Sequence, residues 1–354
     1  MQVEPGRTTL RPAGRHTSAA RNRLRRISAT CGTARWRAAD PLRRDHSGMS
    51  DINLIGLPYQ FGRRSDDHGY QMARGPEVLL GPDAVPEAFD SAFGPTESVW
   101  LDDLDDAKSS DAGGRPLSPG DQMVRQLVQN NGLSAAVRQA KSRGLFPVVA
   151  AGGCNSSIGT VGGLDDPALG MIWLDAHHDA ETPETSPDGL FEGMPVSVIA
   201  GRCWKRWSER IDGFHVMPEH HIMQVGLHDL SFVDPRDREF RGIGHLVDPV
   251  AMRGSTFEKT FAEALTALRR HVDRVYVHVD ADVIDASYMR GNLHAATGGP
   301  SPDQVRWAVE RAAGELRIEA LSLTSYDVAV DPSAPAVLVP LLTDLARSAL
   351  KSRA

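Results

Sequence analysis

Cysteine is scarce in this chain, with Cys31, Cys154 and Cys203 the three among 354 residues. They are odd in number and far apart, which excludes a disulfide framework and fits a reducing compartment, so a cytoplasmic location is expected. Long hydrophobic runs are also missing. Nothing approaches the roughly 18 apolar residues of a membrane span, and no membrane segment is expected. Positive charge is in deficit, with a net charge of −7, which argues against a broad nucleic-acid or anionic-membrane surface. What is present, 41% hydrophobic and 24% charged residues, suffices for one large core or two modest ones.

Acidic residues are nearly absent from residues 1–48, which hold eleven arginines against Glu4, Asp40 and Asp45 and show no apolar periodicity. No packed structure is expected there. Such a stretch resembles an organelle transit peptide, could serve as a basic tail, or is a plain upstream extension with the fold starting near Met49. The remaining residues, 49–354, read as the catalytic domain.

From Met49 onward, apolar β-prone runs alternate with helical spacing. Strands are expected at Ile52–Pro58, Phe146–Ala151, Met171–Asp179, Ile222–Val225, Val275–Asp280 and Ala320–Thr324. Helices are expected from Arg74 to Leu80, from Asp121 to about Arg143 despite its Asn-Asn-Gly break, and near 256–271, 302–313 and 334–350. Residues 105–120, acidic and rich in Ser, Gly and Pro, read as a loop. The alternation predicts an α/β fold, a single doubly wound, mostly parallel sheet with helices on both faces.

Such sheets gather ligands at the carboxyl ends of their strands. Polar clusters stand where that rule places them: Gly152–Ser157, Asp175–Asp179 and Asp280–Asp285. If the chain stays extended through its acidic end, Asp175, His177 and Asp179 point to one side. A single Asp after a strand usually caps a helix or shapes a turn. Three strand ends together imply a shared site, and its carboxylates would repel one another without divalent cations. His220-His221 and His178 are read as pointing away from it, because neighbouring side chains diverge in extended chain. Gly162-Gly163 lacks the spacing of a dinucleotide fingerprint.

Asp175-Ala176-His177-His178-Asp179 and Asp280-Ala281-Asp282-Val283-Ile284-Asp285 resemble the paired motifs of the arginase, agmatinase and formiminoglutamase group of ureohydrolases. Weaker echoes from about residue 52 to 335 follow that family's order. The resemblance implies a three-layer α/β/α fold and two manganese ions. It also implies a metal-activated hydroxide that attacks the guanidino or formimino carbon of a small linear substrate. Asp175 and Asp280 would bridge the metals, His177 and Asp282 would complete one, and Asp179, counted with the catalytic residues, would serve the other. A homo-oligomer, trimer or hexamer, is implied as well.

The chain departs from the family at several points. Asn155 stands where the first metal's histidine is usual and offers a weaker ligand, so one firm Mn2+ position and one weakened or empty one are expected. Cys154 stands where the family has an aspartate that holds that histidine in place. Glu192 occupies the place of a proton-shuttling histidine and could carry protons itself. Glu181 lies where arginases hold the substrate's α-carboxylate, which should favour a cationic or neutral tail. Asp327 falls where an acid grips the guanidinium. The expected function is hydrolysis of a linear amidine or guanidine C–N bond. The alternatives are a family member that has lost its chemistry and acts as a binding or regulatory protein, and another hydrolase that uses Cys154.

Overall fold

Short apolar runs bounded by Gly and Pro form strands buried on both faces, as expected where helices cover each side of a parallel sheet. The computed structural model describes residues 50–64, 69–101, 122–229, 242–247, 251 and 255–354. The basic segment 1–48 and the 105–120 loop expected from sequence lie outside the described residues. The strands are β1 (Ile52–Leu57), β2 (Glu97–Trp100), β3 (Phe146–Ala151), β4 (Gly170–Asp175), β5 (Ile222–Gly226), β6 (His245–Leu246), β7 (Arg274–Asp280) and β8 (Arg317–Thr324). They form one sheet in the order β2-β1-β3-β8-β7-β4-β5-β6, and every pairing is parallel.

The helices are α1 (Gly75–Leu79), α2 (Val85–Phe93), α3 (Gln122–Ser142), α4 (Ser156–Leu164), α5 (Pro195–Ile199), α6 (Lys205–Ser208), α7 (Phe257–Leu268), α8 (Pro302–Ala313) and α9 (Pro335–Lys351). Strand alternation sends Leu54, Ile172 and Leu174 into one core with α1, α2, α7, α8 and α9. It sends Ile55, Met171 and Trp173 into a second core with α3 to α6. The result is the three-layer α/β/α architecture expected from sequence, with a core on each face of the sheet. Among the described residues no helix is long and apolar enough to cross a membrane.

Helix α3 runs straight through Asn130-Asn131-Gly132. Asn130 Nδ2 donates to the Gln126 carbonyl at 2.9 Å, and Asn130 Oδ1 accepts the Gly159 N–H of α4 at 2.6 Å. Asn131 Nδ2 donates to the carbonyls of Leu127 and Arg210, each at 3.1 Å. Side chains that favour turns are thus engaged in tertiary contacts and do not break the helix. Sequence patterning did not anticipate α2 or the edge strand β2, whose side chains alternate between half-buried and exposed.

Candidate active site

Strand register builds the site. Leu174 pairs with Val279 across β4 and β7, and both Asp280 and Ala151 pair with Thr324 of β8. The carboxyl ends of β3, β8, β7 and β4 therefore finish level, and Asp175, Asp280, Thr324 and the turn after Ala151 share one rim.

β4 ends at Asp175, so the extended course expected through Asp179 is not what the chain follows. Asp175 Oδ1 accepts the His177 N–H at 2.7 Å, a side-chain turn that competes with the strand ladder. Asp179 lies in the left-handed region, with φ 46°. A turn, and not strand alternation, delivers His177 and Asp179 to the cavity.

Two ligand groups meet at Asp175. Asp175, His177 and Asp282 bring one ligand atom each within 4.8 Å of one another, and so do Cys154, Asp175, His278 and Asp280. In the first group His177 Nδ1 is 3.4 Å from Asp175 Oδ1 and 3.4 Å from Asp282 Oδ2, while its Nε2 is 3.3 Å from Asp229 Oδ2. A carboxylate behind an imidazole is the usual way to orient a metal-binding histidine. Asp282 is positioned in turn by the Ala176 N–H at 3.3 Å and by Asn292 Nδ2 at 2.9 Å. In the second group Cys154 Sγ is 2.8 Å from Asp280 Oδ2. Asp179 lines the same cavity but belongs to neither group.

A cavity of about 160 Å³ opens over these residues, lined by Glu181, Asp188, Glu192 and Asp229 and by Phe61, Tyr70 and His294. Its volume suits one small linear molecule, and its acidic lining suits a cationic one. Tyr70 Oη is 2.9 Å from His294 Nε2, which holds that ring at the cavity.

Asn155 does not line the cavity. Its Nδ2 donates to Glu192 Oε2 at 2.7 Å and its backbone N–H to Glu192 Oε1 at 3.3 Å. Its Oδ1 is buried without a hydrogen-bond partner. The amide nitrogen of the substituted position is thus committed to Glu192. Asp327 is placed differently from the guanidinium grip expected of it. Its carboxylate accepts from the backbone N–H of Gln71 at 2.8 Å and of Ala329 at 2.9 Å, and it is absent from the cavity lining. One amide on each oxygen fixes the orientation of the carboxylate.

Burial dominates the electrostatics. It pushes Asp175 up to about 6, with Asp282 adding to the effect and His177 opposing it. It also raises Asp179 and Asp280, each further by a neighbouring carboxylate, and lifts Glu192 to about 7 against the hydrogen bonds from Asn155. Burial pushes the Cys154 thiol up, with Asp280 adding to it, and drives His278 down to about 3, leaving a neutral imidazole. Burial opposes the charged form of His177, but Asp282 and then Asp175 hold it well above its usual value. Five carboxylates and one favourably placed imidazole leave a deficit of positive charge that divalent cations would correct. The donors of the first group, two carboxylates and an imidazole backed by a third carboxylate, fit such an ion.

Four participants went unassigned in the sequence. His278 lies two residues before Asp280 on β7 and so on the same face, a signal that alternation carried. Asp229 follows the end of β5, at a loop position that carried only a weak motif. Asn292 and His294 come from an irregular segment with no periodic signal.

Glu192 owes its place to Gly153. A Cβ on Gly153 would sit 2.2 Å from Glu192 Oε1, so Gly153→Ala must displace that carboxylate. A displaced rotamer costs about 0.5–1.5 kcal/mol, whereas misplacing a reacting group by about 1 Å costs on the order of 100-fold in rate. We expect Gly153→Ala to fold with near-normal stability and to lower any turnover that uses Glu192 by about that factor. Thermal unfolding and steady-state kinetics on the same preparation check this, and unchanged kcat would remove Glu192 from the reaction.

A model of the arginase family matches residues 50–346. The arginase of Bacillus caldovelox is 31% identical over 299 residues, covering 80% of this chain and 92% of the relative. Among solved structures, arginase from Bacillus cereus superposes with a TM-score of 0.67 at 22% identity, covering 83% of this chain and 97% of that one. Formimidoylglutamase from Bacillus subtilis superposes with a TM-score of 0.57 at 16% identity, covering 88% and 97%. The two motifs, the sheet order and these similarities agree, and the chain belongs to the arginase family.

Proposed function

We propose that this protein hydrolyses a C–N bond of a small linear guanidine or amidine with bound manganese. The observation that carries the reading is the membership of Asp175 in two ligand groups at once, because one carboxylate shared between two cation positions is what paired-metal hydrolysis requires. When bound, the cations neutralise the carboxylates and make a water acidic enough to attack near neutral pH. Asp175, His177 and Asp282 hold the better-formed position. Asp280 belongs with Asp175 to the other, with Asp179 facing the same cavity.

Glu192 carries a proton between water and the departing amine, since a carboxyl lifted to about 7 can both give and take one near neutrality. Glu181 and Asp188 line the cavity beside it and repel a substrate carboxylate while attracting a cationic tail. Asp327 braces the backbone around Gln71, close to the Met72 lining.

The test begins with metal analysis of protein purified without chelators, followed by assays of urea or amine release from arginine, agmatine and formiminoglutamate. We expect manganese to be bound and the cationic-tailed agmatine to be turned over faster than arginine. Equal rates would remove the role given to Glu181. The departures at Cys154, Asn155 and Glu192 favour a second reading, a member that binds small guanidino compounds without hydrolysing them. Stoichiometric manganese with no turnover of any of the three would establish that reading in place of the first.

A further inference from the structure

We propose that Cys154 and His278 convert the second cation position into a sulfur-nitrogen-carboxylate site that selects a borderline-soft divalent ion such as zinc over manganese. This rests on the reading that Asp175 holds metal, and it adds to the motif carboxylates Asp175 and Asp280 two donors that the ureohydrolase motifs do not describe. Four donors converge from three strand ends: Sγ of Cys154 after β3, the Asp175 carboxylate on β4, and His278 and Asp280 on β7. Bond lengths of about 2.0–2.3 Å to zinc give a tetrahedron with edges of roughly 3.3–3.7 Å. Cys154 Sγ lies 3.3 Å from His278 Nε2 and 2.8 Å from Asp280 Oδ2, so a small outward movement completes the figure.

The imidazole is held as a ligand needs to be. His278 Nδ1 is 3.1 Å from both Tyr276 Oη and Ser322 Oγ, contacts that occupy the rear nitrogen, while Nε2 faces both the sulfur and Thr324 Oγ1, each at 3.3 Å. The ring stacks on Trp173 at 3.6 Å between centroids and 9° between planes, and Trp173 Nε1 donates to Asp175 Oδ2 at 2.9 Å. Around the sulfur, Thr324 Oγ1 at 3.2 Å and Ser325 Oγ at 3.3 Å can donate to a thiolate. Thiolate and imidazole favour zinc, whereas an all-carboxylate set suits manganese. The donor change follows the loss of the family's histidine at Asn155, whose amide nitrogen is committed to Glu192.

Cobalt(II) gives zinc-type sites an optical signature. The full-length chain, stripped with chelator, is titrated with cobalt and then with zinc. We expect a near-ultraviolet sulfur-to-cobalt charge-transfer band that saturates at about one ion per chain and is displaced by zinc. Cys154→Ser should abolish the band and weaken zinc binding by more than the roughly 10–100-fold that loss of an outer partner costs. Cys203→Ser and Asp282→Asn should keep the band, the first because Cys203 is in neither ligand group and the second because Asp282 belongs to the other. Cobalt bound without the band, or a band that survives Cys154→Ser, overturns the proposal and leaves the hydrolase reading standing. No cobalt bound at all overturns both.

Discussion

Replacing Asp175 with asparagine is expected to remove divalent metal from both positions and to eliminate hydrolysis, because this carboxylate is the one residue common to the two ligand groups. An amide keeps the shape and loses the charge, and neutral oxygen is a poor substitute for a carboxylate toward a hard cation. The same change should alter the pH dependence of the metal-free fold. Burial and Asp282 push Asp175 up to about 6, whereas an unfolded chain titrates its aspartates near about 4. Between those values the folded state holds a proton that the unfolded state has released, so this group's contribution to stability falls as pH rises and is fully unfavourable above about 6.

Asparagine does not titrate. Relative to the parent, the variant should gain on the order of 2–3 kcal/mol between pH 4 and pH 7. A constant offset is superimposed, because the new amide cannot accept from both Trp173 Nε1 and the His177 N–H, and an unmet donor costs about 1–3 kcal/mol. Denaturant unfolding in chelator at several pH values measures the slope independently of that offset. A difference that does not change with pH would show that Asp175 is not protonated in the folded state. Retained metal would remove the residue from the site.

Glu192→Gln is expected to reduce kcat by about 10²–10⁴-fold while metal content stays at the parent's level. The carboxylate accepts two hydrogen bonds from Asn155, at 2.7 and 3.3 Å, and glutamine can keep one of them, so the local fold should persist. What disappears is a titrating group. Burial lifts it to about 7, and the parent's rate profile should show a limb there that the variant lacks. A twofold effect with the limb intact would shift proton transfer to another cavity group, and His294 is one such alternative. Its ring lies 6.1 Å from that of His177 and is held by Tyr70.

The two variants separate functions that the sequence presents together. Asp175 and His177 lie two residues apart in one motif, and their chemistry follows from residue type. Glu192 belongs to no such cluster, and its role rests on the raised pKa that burial produces, against the hydrogen bonds from Asn155. Asp327 shows the converse. Its position in the chain suggested a substrate contact, and in the fold its carboxylate accepts from two backbone amides, because a carboxylate takes whichever donors the fold brings near it.

The sequence by itself determined the α/β class, the order of six strands and five helices from Met49 onward and the polar rim, because hydrophobic periodicity and the carboxyl-end rule are local properties of the chain. It did not determine where β4 ends, whether α3 survives Asn-Asn-Gly, or that α2 and β2 exist. The first turns on a hydrogen bond accepted by the Asp175 side chain that competes with the ladder, and the persistence of α3 on contacts with residues distant in the chain. Only the tertiary structure decided that Cys154 and His278, separated by 124 positions, share one ligand group. Parallel pairing levels β3, β8 and β7, and no local pattern encodes which strands become neighbours.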